Sequence, residues 1–125
     1  MNKPLQTAED ILPHLKYIRN KKQEYLVCLS LDSQLKLIAK HTITIGLVDR
    51  VLAHPREVYA KAIIDRACSI IIAHNHPSGE ATPSGGDIEL TQQLVAAGQF
   101  LGVPLLEHII VTRDGYYSFK NGHLI

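Results

Sequence analysis

The chain has 125 residues, 46% of them hydrophobic, with 13 basic against 12 acidic side chains and a formal net charge of +1. That length makes one domain, able to bury roughly two-thirds of its unfolded surface, and the mean hydropathy of +0.02 is that of an ordinary globular chain. The charge balance argues against autonomous nucleic-acid binding, which rests on a basic surplus or stripe; no apolar run nears the ~18 residues of a membrane span; and no export signal is visible, so a cytoplasmic location is expected.

In chain order, residues 1–6 form a lead-in, and Thr7 caps a helix running to about Arg19, with Glu9 and Asp10 in its first turn. Pro13 lies inside that segment and delays or kinks it. Arg19, Lys21 and Lys22 follow at its end, where positive charge complements the helix dipole. Glu24 to Leu31 reads as a strand apolar on both faces. After the turn Asp32-Ser33-Gln34, Leu35 to Ile45 reads as its hairpin partner. Gly46 to His54 is a connection with room for a short strand. Pro55 suits the first position of a helix reaching about Ala67, with Val58, Ala62 and Ile63 on its apolar face.

Cys68 to His74 is a β-branched apolar run, the pattern of a central strand covered on both sides. Cys28 and Cys68 both sit in apolar runs and read as small buried hydrophobes; no C-x-x-C pair or disulfide framework is present. A Pro/Gly/Ser-rich loop spans Asn75 to Gly86. The helix of about Asp87 to Leu101 sets Leu90, Leu94, Ala97 and Leu101 in one stripe, and Gly102 and Pro104 end it. Leu105 to Thr112 and Tyr116 to Phe119 are closing strands joined at Asp114-Gly115. The class is α/β, with a mixed sheet flanked by helices.

The chemistry concentrates between His74 and Asp87. Residues two apart on a strand point the same way, so His74 and His76 offer two imidazoles on one side. Asp87, in the first turn of the following helix, can add a carboxylate oxygen. Three protein ligands with an open fourth position are the catalytic zinc arrangement, whereas structural sites close with four. An isolated H-x-H is common, however, and Ser84-x-x-Asp87 also reads as a helix capping box. The two readings are compatible, because a cap can also hold a carboxylate ligand in place.

His74, His76, Pro77, Ser84 and Asp87 match the H-x-H-P-x6-S-x2-D pattern at all five specified positions. The chain thereby resembles the JAMM/MPN metalloprotease superfamily. Gln23-Glu24-Tyr25, Leu31-Asp32, Ala73 to Gly79, Pro83-Ser84, Leu90-Thr91 and His108 to Val111 resemble its RadC-type branch, with Glu107 standing where Asp is expected. The resemblance implies a three-layer, cytidine deaminase-like fold, with a lead-in over 1–20 and the JAMM/MPN domain over 21–125. It implies Zn2+ held by His74, His76 and Asp87, Glu24 as general base, and Ser84 as donor to the oxyanion in hydrolysis of a peptide or isopeptide bond. His108 is a candidate for supporting a ligand from behind, and Asn75, Ser78 and Gly79 for shaping the loop.

RadC-type proteins usually carry a helix-hairpin-helix region ahead of this domain, so either an excised C-terminal domain or a short form is implied. The alternative function is a non-catalytic or weakly catalytic module of a RadC-type protein in DNA repair. A zinc deaminase is disfavoured, because His76 stands where its Glu belongs and its P-C-x-x-C pair is missing. His14, His41, His54 and His123 read as surface or capping residues.

Overall fold

The computed structural model describes residues 3–46 and 53–125. A five-stranded mixed sheet of order β2-β1-β3-β4-β5 forms the middle layer. Its strands are β1 (Tyr25–Leu31), β2 (Leu37–Ile45), β3 (Ser69–Asn75), β4 (Leu105–Val111) and β5 (Tyr116–Ser118). Strand β1 runs antiparallel to both β2 and β3, β3 and β4 are parallel, and β5 returns antiparallel to β4. The strands at the centre are those whose residues are apolar on both faces. Every residue of β3 is buried, whereas edge strand β2 alternates between half-buried and exposed along most of its length.

One face is covered by α1 (Ala8–Ile11) and the 3-10 helix Leu12–Ile18 that continues it. Thr7 and Asp10 form a reciprocal capping box at the start. Pro13, which has no N–H to give the α-helical ladder, lies where the coil tightens to 3-10 geometry, so the single helix expected to Arg19 is an α turn followed by a 3-10 segment. Ile11, Leu15 and Ile18 pack there on Val27, Leu29, Ile71, Ala73, Ile109 and Val111. Arg19 does not complement the helix end. Its Nε donates to the carbonyl of Thr112 (2.8 Å) and its Nη2 to that of Gly115 (2.9 Å), which ties the chain to the β4–β5 turn.

The other face carries α2 (Pro55–Ile64) and α3 (Gly85–Leu101). Leu26, Cys28, Ile70, Ile72 and Leu105 of the sheet form a core there with Val58, Tyr59, Ala62, Leu90 and Leu94. His54 caps α2, its Nδ1 accepting from the Arg56 amide. Two expected contacts are corrected. Ile63 is 52% exposed, and its place on the inner face of α2 goes to Tyr59, which follows Val58 in the helix. Leu101, 44% exposed, has turned out of the α3 stripe by the last turn, while Gly98 is buried against Tyr59 of α2. A Cβ on Gly98 would meet the Tyr59 hydroxyl and lie 2.6 Å from the Val103 carbonyl oxygen, so the site takes only hydrogen.

Cys28 is buried in this core, and burial foremost, with the nearby Asp65 charge, pushes its thiol up to about 12, leaving it inert as a nucleophile. Cys68, expected to be buried, is exposed; β3 starts one residue later, at Ser69. His41 is not a bare surface residue, since its Nε2 lies 2.7 Å from Asp65 Oδ2. The short strand expected between Gly46 and His54 falls on residues 47–52, outside the described residues. Among the described residues no helix is long and apolar enough to cross a membrane.

Candidate metal centre

At the carboxyl end of β3 the strand delivers His74, continues through Asn75, and turns at His76 into the loop before α3. His74 is 1% exposed and Asp87 8%. Ser84 is the N-cap of α3 and Asp87 its third residue: Ser84 Oγ accepts from the Asp87 amide (3.1 Å), and the Ser84 amide donates to Asp87 Oδ2 (2.8 Å). The capping box and the carboxylate's placement are thus one device. The same two residues that start the helix turn the Asp87 side chain toward the histidines.

His74, His76 and Asp87 come together as a group able to hold a metal ion, with one donor atom from each and all of these within 4.8 Å of one another. His74 Nε2 lies 2.9 Å from His76 Nε2 and 3.3 Å from Asp87 Oδ1, and His76 Nε2 lies 3.2 Å from Asp87 Oδ2. Burial acts to raise the Asp87 carboxyl. The hydrogen bond and charge of His74, with the two Ser84 contacts, outweigh it and hold the group well below the usual carboxylate range. That balance favours the Asp87 carboxylate as the anion.

The hydrogen-bond network assigns which ring nitrogens face the group. Thr91 Oγ1 donates to the Asp87 carbonyl one helical turn back (2.9 Å), so its oxygen is left to accept from His108 Nδ1 (2.6 Å). His108 is fully buried, and desolvation first, with repulsion from His74 and His76 against attraction from Asp87, lowers it well below the ordinary histidine value. It is neutral, so its Nε2 is an acceptor and takes the His74 Nδ1 proton (2.8 Å). His76 Nδ1 donates in turn to the Glu80 carbonyl (2.8 Å). With Nδ1 of His74 and of His76 each committed as a donor, it is the Nε2 of both rings that faces the group, the nitrogen a metal would take.

Glu24 immediately precedes β1, half-buried, and its carbonyl accepts from the Gly46 amide. Leu26 stands opposite His74 in the β1–β3 register, and alternation along the chain puts Glu24, two residues earlier, on the face of the sheet that holds His74. Asn75, fully buried and pointing to the other face, clamps this segment. Its Oδ1 accepts from the Tyr25 amide (2.7 Å), and its Nδ2 donates to the carbonyls of Gln23 (3.0 Å) and Lys21 (3.3 Å). Ser78 and Gly79 shape the turn, the Ser78 hydroxyl accepting from the Glu80 amide and the Gly79 amide donating to the His76 carbonyl.

The part of Thr91 was missed in the sequence, although its spacing of four from Asp87 on a helix was visible. Glu107, the departure from the expected Asp, faces away from the metal group. Buried, it accepts from the His108 amide (2.8 Å), the Ser118 hydroxyl (2.6 Å) and the Lys120 amide (3.0 Å), fastening β5 to β4.

The sheet order and the donor group at the carboxyl end of β3 place the molecule among α/β domains with a metal-type site at a strand–helix junction. A family model described as the RadC-like JAB domain matches residues 5–124, and the chain belongs to that family. It is 46% identical over 98 residues to a UPF0758 protein of Thermotoga maritima, covering 78% of this chain and 44% of that protein. Over 104 residues it is 45% identical to a UPF0758 protein of Methanospirillum hungatei, with 83% and 46% covered. A UPF0758 protein of Clostridium perfringens is 39% identical over all 125 residues, which span 54% of it. The chain thus spans about half the length of the curated relatives it matches.

Proposed function

We propose that this domain is a zinc-dependent hydrolase of amide bonds, peptide or isopeptide. The observation that carries the reading is the convergence of two imidazole Nε2 atoms and a carboxylate, each held by a further partner. Zinc bonds of ~2.0–2.1 Å in a tetrahedral site set donor atoms roughly 3.3 Å apart. The Nε2–Nε2 separation of 2.9 Å is close to that span, and each ring reaches its own Asp87 oxygen, Oδ1 at 3.3 Å from His74 and Oδ2 at 3.2 Å from His76, with one donor atom per residue all within 4.8 Å. Two imidazoles with one carboxylate leave a fourth position open, as in catalytic rather than structural sites.

When bound, zinc supplies Lewis acidity toward water and a substrate carbonyl. Glu24, on the face of the sheet that holds His74, takes a proton from the attacking water and returns it to the leaving amine. Ser84 uses its oxygen to accept from the Asp87 amide, so its hydroxyl proton remains to donate to the oxyanion that develops. No covalent intermediate is involved. Buried Cys28 is excluded as a nucleophile in any case.

The test is cleavage of a peptide and isopeptide library by protein reconstituted with zinc. Cleavage abolished by a chelator and restored by zinc is the expected result; protein that holds one zinc and cleaves nothing overturns the reading.

The Thr91–His108 chain has its own consequence. His108→Phe keeps the ring's stacking partner, Phe119 (centroids 4.1 Å apart, planes at 5°), but deletes the acceptor that orients His74. Its zinc affinity is expected to fall ~10–100-fold, as for lost partners of metal-bound histidines generally. Competition with a chromophoric chelator measures it, and an unchanged affinity in a folded variant removes His108 from the site.

A further inference from the structure

Next to His76 lies a cavity of about 420 Å³, where three turns meet: residues 19–22 after the 3-10 helix, the 76–79 turn, and 113–114 between β4 and β5. Its wall holds four cationic side chains, Arg19, Lys21, Lys22 and Arg113, and one carboxylate, Asp114. In a chain whose basic and acidic totals are 13 and 12, this is a local concentration of positive charge against an almost neutral background. Three of the cations follow the 3-10 helix in the 19–22 segment, and Arg113, from the β4–β5 turn, brings a fourth onto the same wall, which a helix-end effect does not account for. The wall is also braced. Arg19 is half-buried and spends two donors on the Thr112 and Gly115 carbonyls, which fixes the 113–114 turn against the 19–22 segment. Asn75 holds the carbonyls of Lys21 and Gln23 from below, and Lys21 lies 5.6 Å over the Tyr25 ring.

A ligand group in this cavity would sit beside His76, which lines both the cavity and the metal group. We propose that the cavity receives a carboxylate of the substrate, so that the domain prefers peptides bearing an acidic residue, or a free C-terminus, next to the amide presented to His74, His76 and Asp87. This rests on the hydrolase reading for the identity of the ligand as a peptide. The charge argument for an anionic group stands on the cavity alone. Arg19 and Arg113 suit it because a guanidinium meets a carboxylate through paired donors.

Binding tests it without requiring turnover. The zinc-reconstituted full chain is titrated with three fluorescein-labelled pentapeptides: an Asp/Glu-containing one amidated at its C-terminus, its Asn/Gln counterpart also amidated, and that neutral peptide with a free C-terminus. The acidic peptide, the free-acid peptide or both are expected to bind at least about tenfold more tightly than the neutral amide, and the double reversal Lys22→Glu with Arg113→Glu to erase that preference at unchanged zinc stoichiometry. Which of the two binds distinguishes a side-chain from a terminal carboxylate. Equal binding of all three, or a preference that survives the double reversal, overturns the proposal. A single-stranded oligonucleotide of matched charge that binds more tightly than the acidic peptide, with affinity falling steeply in salt, overturns it in favour of a nucleic-acid ligand. Acidic peptides that bind at the cavity but are not cleaved count against the hydrolase reading and leave the cavity assignment standing.

Discussion

Glu24→Gln is expected to lower hydrolysis by about 10²–10⁴-fold while leaving zinc bound, because the amide keeps the side chain's shape and removes only its capacity to take a proton. Glu24 is not part of the His74, His76 and Asp87 group; strand alternation puts it on the same side of the sheet, two residues beyond the Leu26–His74 pair. The variant therefore separates proton transfer from metal binding. Full zinc stoichiometry with kcat reduced and KM little changed is the expected pattern, read by metal analysis and by kinetics on a substrate from the library. Activity equal to wild type would falsify Glu24 as the base and return the carboxylate to an ordinary strand-end role. Zinc lost together with activity would show instead that Glu24 holds the site together. Replacing Asn75 by Ala offers a cross-check of the same geometry, since the clamp that sets Glu24 beside β3 is made by its amide.

Asp87 carries two duties that substitution can pull apart. Asp87→Ala removes the carboxylate donor and the acceptor of the Ser84 amide together, so it is expected to reduce bound zinc from about one equivalent to none measurable and to cost about 1 kcal/mol of stability from the lost cap. Asp87→Asn retains an oxygen for the Ser84 amide, so it keeps most of the cap while its neutral side chain no longer completes the site. The diagnostic is the pair. Zinc should be absent from both variants, with the urea midpoint shifted clearly in Ala and little in Asn. An Asp87→Ala protein that still binds one zinc at wild-type affinity is incompatible with the site as described. Because the Asp87 carboxyl is held low in the folded chain, it remains an ionised acceptor through the neutral range, and stability drawn from it is present above the ordinary carboxylate pKa and is lost as pH falls through its depressed folded value.

Much of this was legible in the residues, for reasons that are local. The run Ile70-Ile71-Ile72-Ala73 has the composition of a doubly covered strand, and β3 is buried throughout. The spacing of two between His74 and His76 needs only strand periodicity to put both rings on one side, and Ser84-x-x-Asp87 needs only cap geometry to aim a carboxylate. What failed locally failed for a stated cause. Pro13 turned an α-helix into a 3-10 segment, and the inner face of α2 settled on Tyr59 instead of Ile63 because that ring meets α3, where its hydroxyl donates to the Leu94 carbonyl. Cys68 lies just outside β3, and the apolar run around it says nothing about that one-residue boundary.

By itself, then, the sequence determined the α/β class and the helix cap that orients Asp87, which depend on local patterns, and pointed to the donor residues of the candidate centre through their spacing and the family resemblance it carries. Only the tertiary structure decided how those donors are completed. Parallel pairing of β3 with β4 puts His108 behind His74, α3 brings Thr91 to His108, and the pairing of β1 with β3 brings the Glu24 end of β1 beside the His74 end of β3. The two hydrogen bonds of His108 join residues 34 and 17 positions apart, a separation at which periodicity carries no information. The basic cavity is of the same kind, since Arg19 and Arg113 become neighbours only when the β4–β5 turn closes on the chain's first helical segment.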